Sequence, residues 1–181
     1  MTRGERQIPQ VLLEALTKYD ESTRGHRAER IVWIGQHSAM PSVIMGRTES
    51  LHLLTEAREV FVNGHFASAL LLAVAVIEHS LVEECQLRGL FEGSPPFSKV
   101  LKVAEENNVL PSAWFPALRL LALRRHPYVH LRDSADEHGL GHRVQKEHLH
   151  PQTILQQDAE AALTLMYDVF RSTLRVAPEL S

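Results

Sequence analysis

From Ala67 to Ile77 the chain reads ASALLLAVAVI, apolar at almost every position. The stretch lies inside His65–Arg88, which has helical spacing throughout. A helix with no polar face in its middle cannot sit on a surface, so neighbours must enclose it. Ala67, Ser68, Ala69, Ala73 and Ala75 are small enough to let those neighbours approach closely. The strictly apolar run, Ala69–Ile77, stops at Ser68 and Glu78, well short of the ~20 residues that cross a bilayer. The first constraint on this chain is therefore a buried central helix with other helices around it.

The flanking sequence supplies those helices. Thr48 can cap a helix over Glu49–Val62, with Glu49 well placed against the dipole, and Asn63-Gly64 makes a tight corner into the central helix. Gly89 suits a left-handed C-cap, with Leu90 as its apolar contact. After a Gly93–Pro96 turn, Ser98–Asn107 forms a shorter helix with Val100, Leu101 and Ala104 inward. Ser112 can cap a helix carrying Ala117, Leu118, Leu120, Leu121 and Leu123, which is expected to end near His126 because Pro127 restricts the residue before it. The polar, glycine-containing stretch His130–Pro151 reads as a loop, and Thr153 to about Val176 as the last helix. At the N-terminus, residues 9–19 form a helical stripe, and the charged Asp20–Arg30 reads as a loop. Ile31–Gly35 and Val43–Gly46 then read as two short strands or an extended arm.

The expected fold is all-α: an antiparallel bundle of four to six helices with a less regular N-terminal arm. The expected divisions are an arm over 1–48, a bundle over 49–176 and a tail over 177–181. At 181 residues, 44% hydrophobic and 23% charged, the chain has the composition of one globular domain. The single Cys85 excludes an internal disulfide and a cysteine-based zinc site. With no export or membrane signal in the sequence, a cytoplasmic protein is expected.

A net charge of −3 argues against a globally basic nucleic-acid binder. That figure is an average. Between Arg119 and Arg132 stand four arginines and no acid, a local +4 that leaves −7 for the remainder. Arginine presents a planar fork suited to phosphate. Arg125 and His130 are separated by four residues, five helical steps or roughly 500°, so an unbroken helix would not align them on one face. An arginine with a histidine suffices for metal-free RNA cleavage. A neutral imidazole takes the proton of the ribose 2′-hydroxyl, and the guanidinium stabilises the charged phosphorane. DNA lacks that hydroxyl and would not be cut in this way.

The stretch Arg125-His126-Pro127-Tyr128-Val129-His130 resembles the Arg-polar-x3-His signature of the HEPN superfamily. Phe61–His79 is similar to that family's long second helix, and the likeness covers roughly 49–176. The resemblance implies a four- or five-helix bundle, commonly a homodimer whose two motifs meet in one cleft. It implies either a metal-independent endoribonuclease of a toxin or phage-defence type, or a catalytically inactive RNA- or protein-binding relative. Carried over by position, Arg125 would bind phosphate, His130 would act as acid or base, and His126 would fill the polar slot. Glu78 or His79 would orient the motif, and Arg124 and Arg132 would add phosphate contacts. The implied ligand is RNA, with a possible protein partner or antitoxin, no cofactor and no metal.

Plainer readings stand beside these. Arg124, Arg125 and His126 occupy a last helical turn, where cations suit the dipole without any catalysis. Glu78 can face solvent or pair with an arginine. Six of the eleven histidines fall within residues 126–150, and His138/His142 and His148/His150 have ligand-pair spacing. Gly139 and Gly141 argue against a helix there, so a histidine-rich polar loop is the simpler account. Cys85, inside the central helix, reads as a packing residue.

Overall fold

The structure is a computed structural model that describes residues 8–38, 48–93, 95–131, 133 and 135–174. The expected Val43–Gly46 segment, Arg132 and the 177–181 tail lie outside the described residues.

Among the described residues the chain is an all-α bundle with seven helices: α1 Gln10–His37, α2 Thr48–Val62, α3 Phe66–Leu87, α4 Phe97–Glu106, α5 Phe115–Val129, α6 Leu140–Glu147 and α7 Pro151–Thr173. A 3-10 turn at Ser112–Trp114 leads into α5. No strand is present among these residues.

α3 is the centre, and α2, α4, α5 and α7 all pack against it. Ala69, Leu70, Ala73, Val74, Val76 and Leu81 are completely buried. Burying each of the larger aliphatic side chains contributes about 1.5–3 kcal/mol. Of the small residues, Ala69 and Ala73 form the close approach, whereas Ser68 faces solvent. By length and hydropathy α3 is also the one described helix able to cross a bilayer. Here its apolar side chains are spent on the other helices.

Helix ends follow the local sequence closely. At the α2–α3 corner Gly64 has φ +81, and the His65 N–H donates to Val60 O at 2.8 Å. After α3, Gly89 (φ +69) lets the Leu90 N–H reach back to Cys85 O at 2.9 Å. Asn108 (φ +51) performs the same reversal after α4, with the Val109 N–H donating to Ala104 O at 2.9 Å. In each case a residue tolerant of the left-handed region satisfies carbonyls that the helix end would leave bare.

Three expectations are corrected. First, the N-terminal segment is not a helix, a loop and strands. Gln10–His37 is one 28-residue helix that includes the charged Asp20–Arg30 stretch and Ile31–Gly35. Charged residues of good helix propensity sustain a solvated helix, here with Arg27 reaching Asp20 at 3.4 Å and His26 reaching Glu29 at 3.5 Å. The helix also joins the bundle: Ile34 is buried in the core, and Trp33 packs on Phe61 with centroids 5.1 Å apart.

Second, α5 does not stop at His126. It carries Pro127 inside and ends at Val129, and the His130 N–H still donates to His126 O at 2.9 Å. A proline this near a C-terminus interrupts one backbone bond, and the turn beyond it is held by packing of Tyr128 against the core. Third, the stretch read as a loop contains α6, with Gly139 as its N-cap and Gly141 within it. A distant carboxylate holds that short helix in place, as described next.

Candidate functional site

The end of α5 carries the motif, and its consecutive arginines part company. Adjacent helical residues point about 100° apart. Arg124 therefore turns toward α7, where its Nη1 donates to Asp158 Oδ1 at 2.7 Å. Arg125 turns toward α3 and α4. Its Nη1 donates to Glu78 Oε2 at 2.9 Å, and its guanidinium carbon lies 5.7 Å from the Phe97 ring centre. Its Nε is buried and has no hydrogen-bond partner among the described residues. The Arg125 and Glu78 side chains are 22% and 26% exposed, so the pair lies at the rim rather than in the core.

Asp158 is the most deeply placed charge among the described residues. Its side chain is 0% exposed and takes two arginines: Arg124, and Arg143 from α6 through Nη1 to Oδ2 and Nη2 to Oδ1, the latter at 3.1 Å. Arg143 also donates through Nε to Glu147 Oε1 at 2.9 Å. Burial pulls the Arg143 guanidinium down, but hydrogen bonds to Asp158 and Glu147 outweigh it and hold the group above its ordinary value. Beside this cluster the Tyr128 phenol is pushed up, first by burial and then by the Asp158 charge. The cluster ties together the end of α5, α6 and α7.

Each residue expected in the site can now be placed. Arg124, named as a phosphate contact, gives its Nη1 to the buried Asp158 carboxylate and keeps its side chain 23% exposed. Glu78 accepts a hydrogen bond from Arg125. His79 does not join it, because its Nδ1 lies 3.3 Å from Ser50 Oγ of α2. His126 is half-buried and meets the exposed His130 edge-on, with ring centroids 5.5 Å apart. The single residue beyond the helix brings these rings together, since His130 leaves α5 in an extended conformation (φ −130, ψ 134).

The apparent concentration of positive charge is also revised. Arg119 pairs with Glu105 of α4, Arg124 with Asp158 of α7 and Arg125 with Glu78 of α3. Carboxylates distant in sequence thus neutralise the three described arginines of the local +4. The loop histidines diverge as well. His148 adopts the left-handed conformation at the end of α6 (φ 55), and His150 caps α7 by accepting from the Gln152 N–H at 3.2 Å. No cluster of three or more metal-ligating side chains exists among the described residues. Cys85 is completely buried, and burial raises its thiol.

Sequence reasoning missed Asp158, Arg143, Glu147 and Phe97. A signal for Asp158 was present. It lies four residues after Ile154 and four before Ala162 on the buried face of α7, and an acid there requires a cation from elsewhere.

The chain has no significant match among protein-family models, curated proteins or solved structures.

Proposed function

We propose that this protein is a metal-independent endoribonuclease of HEPN-like type, with the end of α5 as its reactive site. One observation carries the reading. Two neighbouring arginines, equally exposed, differ in their partners: Arg124 pairs with the fully buried Asp158, while Arg125 pairs over the Phe97 ring with the partly exposed Glu78, at the helix end that bears His126 and His130.

RNA supplies its own nucleophile, so the protein's task is proton transfer and charge stabilisation. One imidazole, neutral, takes the 2′-hydroxyl proton as that oxygen attacks phosphorus. The other, protonated, gives a proton to the departing 5′-oxygen. The products are a 2′,3′-cyclic phosphate and a 5′-hydroxyl. Arg125 neutralises the charge that builds on the non-bridging oxygens, and Glu78 keeps its fork aimed. His130, the exposed member, is the group expected to meet substrate first.

The test uses purified full-length protein and a labelled RNA in EDTA. Cleavage with 2′,3′-cyclic phosphate ends is expected, together with a bell-shaped rate profile, because one histidine must be neutral and the other protonated. His130→Ala should lower the rate by roughly 10²–10⁴-fold, the usual contribution of a general acid or base. A 2′-deoxy substitution at the cut site should block cleavage. Activity that vanishes with chelator, or that survives His130→Ala unchanged, refutes the mechanism.

The neutralised arginines favour a second reading, an inactive HEPN-like module that binds RNA or a protein partner. Under it, RNA remains intact in the same assay while binding persists in His130→Ala.

A further inference from the structure

α1 is about 42 Å long at 1.5 Å per residue, but the bundle supports only its C-terminal part. One seam runs the length of the helix at four- and three-residue steps: Leu12, Leu16, Tyr19, Thr23, Arg27, Arg30, Ile34. At the far end the seam is covered. Ile34 is 4% exposed, and Arg30 Nε donates to Val62 O at 2.9 Å where α2 ends. Beyond that point the helix overhangs the α2–α3 corner with the same seam bare: Leu12 is 53%, Leu16 59% and Tyr19 60% exposed.

Beside the covered end lies a groove of about 540 Å³ between α1 and α2, walled by Ile31, Ile34, Thr55, Arg58, Glu59 and Val62. Arg58 is half-buried in that wall, where its charge acts on the buried Tyr167 phenol, and it has no carboxylate partner among the described residues.

We propose that a second copy of this chain occupies both features, the α1 overhang of each copy lying antiparallel in the α1/α2 groove of the other. Charge sets the direction. Gln10–Ser22 carries three acids and one lysine, a net −2, whereas Thr23–His37 carries three arginines and one acid, a net +2. Antiparallel packing sets each half against its opposite; parallel packing would oppose like charges. Glu14 of the overhang then supplies a carboxylate to the Arg58 that lacks one. The two-fold arrangement is self-complementary, so every contact is made twice. Each overhang brings the seam residues Leu12, Leu16 and Tyr19, all more than half exposed, to which the apolar groove wall is added. This contact does not rest on the ribonuclease reading, since α1 touches α2 and α7 while Arg125 is held by α3 and α4.

The experiment is sedimentation equilibrium on the full chain. The unaltered protein is expected to be a dimer at micromolar concentration. Leu12→Glu with Leu16→Glu should weaken association by at least about 100-fold, by placing charge at the centre of an apolar contact. Far-UV circular dichroism should be unchanged, because both side chains are exposed in a single copy. Glu14→Arg should weaken the dimer by about tenfold, and adding Arg58→Glu should restore it. An unaltered chain that stays monomeric at high concentration overturns the proposal. So does a double glutamate variant that remains dimeric, a charge swap that fails to restore, or a monomer that uses the overhang to bind anionic vesicles.

Discussion

Converting Asp158 to Asn tests the structural role assigned to the Asp158–Arg143–Arg124 cluster. The side chain keeps its volume and one carbonyl oxygen but loses its charge. Two guanidinium groups then lose their shared counter-ion. They are not equally harmed. Arg124, with a side chain 23% exposed, can turn toward water, whereas Arg143, at 7%, cannot without moving α6. Removing one partner of a buried pair costs about 3–5 kcal/mol. Arg143 retains Glu147, which places the expected loss at the lower end, about 3 kcal/mol. In a domain of this size, that corresponds to a fall in Tm of roughly 6–12 °C.

Urea and thermal unfolding followed by circular dichroism supply the measurement, with the denaturant slope unchanged if the native state stays compact. A companion variant, Asp158→Leu with Arg143→Met, removes the buried charges together and should return to within about 1 kcal/mol of the unaltered protein. A loss below about 1 kcal/mol in Asp158→Asn, or a double variant less stable than the single, would refute the claim that this carboxylate neutralises buried cations.

Two further expectations follow from groups at helix ends and in the core. The Tyr167 phenol is buried, has no hydrogen-bond partner among the described residues and is pushed up to about 12 by burial. Because the folded value lies above the unfolded one near 10, its contribution is complete below pH 10. It is lost as pH rises toward 12, a change on the order of 2–3 kcal/mol. Urea unfolding at pH 8 and above pH 11 should show Tyr167→Phe as neutral or slightly stabilising at the lower pH and less alkali-sensitive; equal alkaline losses in both proteins would exclude this origin. His148→Gly, at a non-glycine residue with φ 55, should raise stability by about 0.5–1 kcal/mol in the same assay, and a loss would show that the imidazole holds the end of α6.

Features governed by neighbours in sequence were legible from it. The all-round apolar α3, the Gly64 corner and the Gly89 cap are each written in a few adjacent residues. What escaped was decided over distance or against local propensity. Asp20–Arg30 has the polarity of a loop, but a helix that projects into solvent is polar for the same reason. Pro127 breaks a helix interior but is tolerated one turn from the end. α6 forms around Arg143, fixed by a carboxylate fifteen residues ahead, so its glycines misdirect a local reading. At the candidate site, Arg125 and His130 could be named from spacing, and Glu78 only as one of two adjacent candidates. That Arg124 pairs with Asp158 required knowing where α7 lies.

The central position of α3 also affects the timing of synthesis. Its most extensive packing is with α7, which begins at Pro151, more than sixty residues after α3 ends at Leu87. At about 5–20 residues per second, α3 waits roughly 3–13 s for that surface to be made. During that interval the most apolar segment of the chain has only α2, and later α4 and α5, to cover it. The bundle therefore closes only once α7 has been made, and a nascent chain stalled before Pro151 presents a greasy helix to the cell rather than a shorter domain.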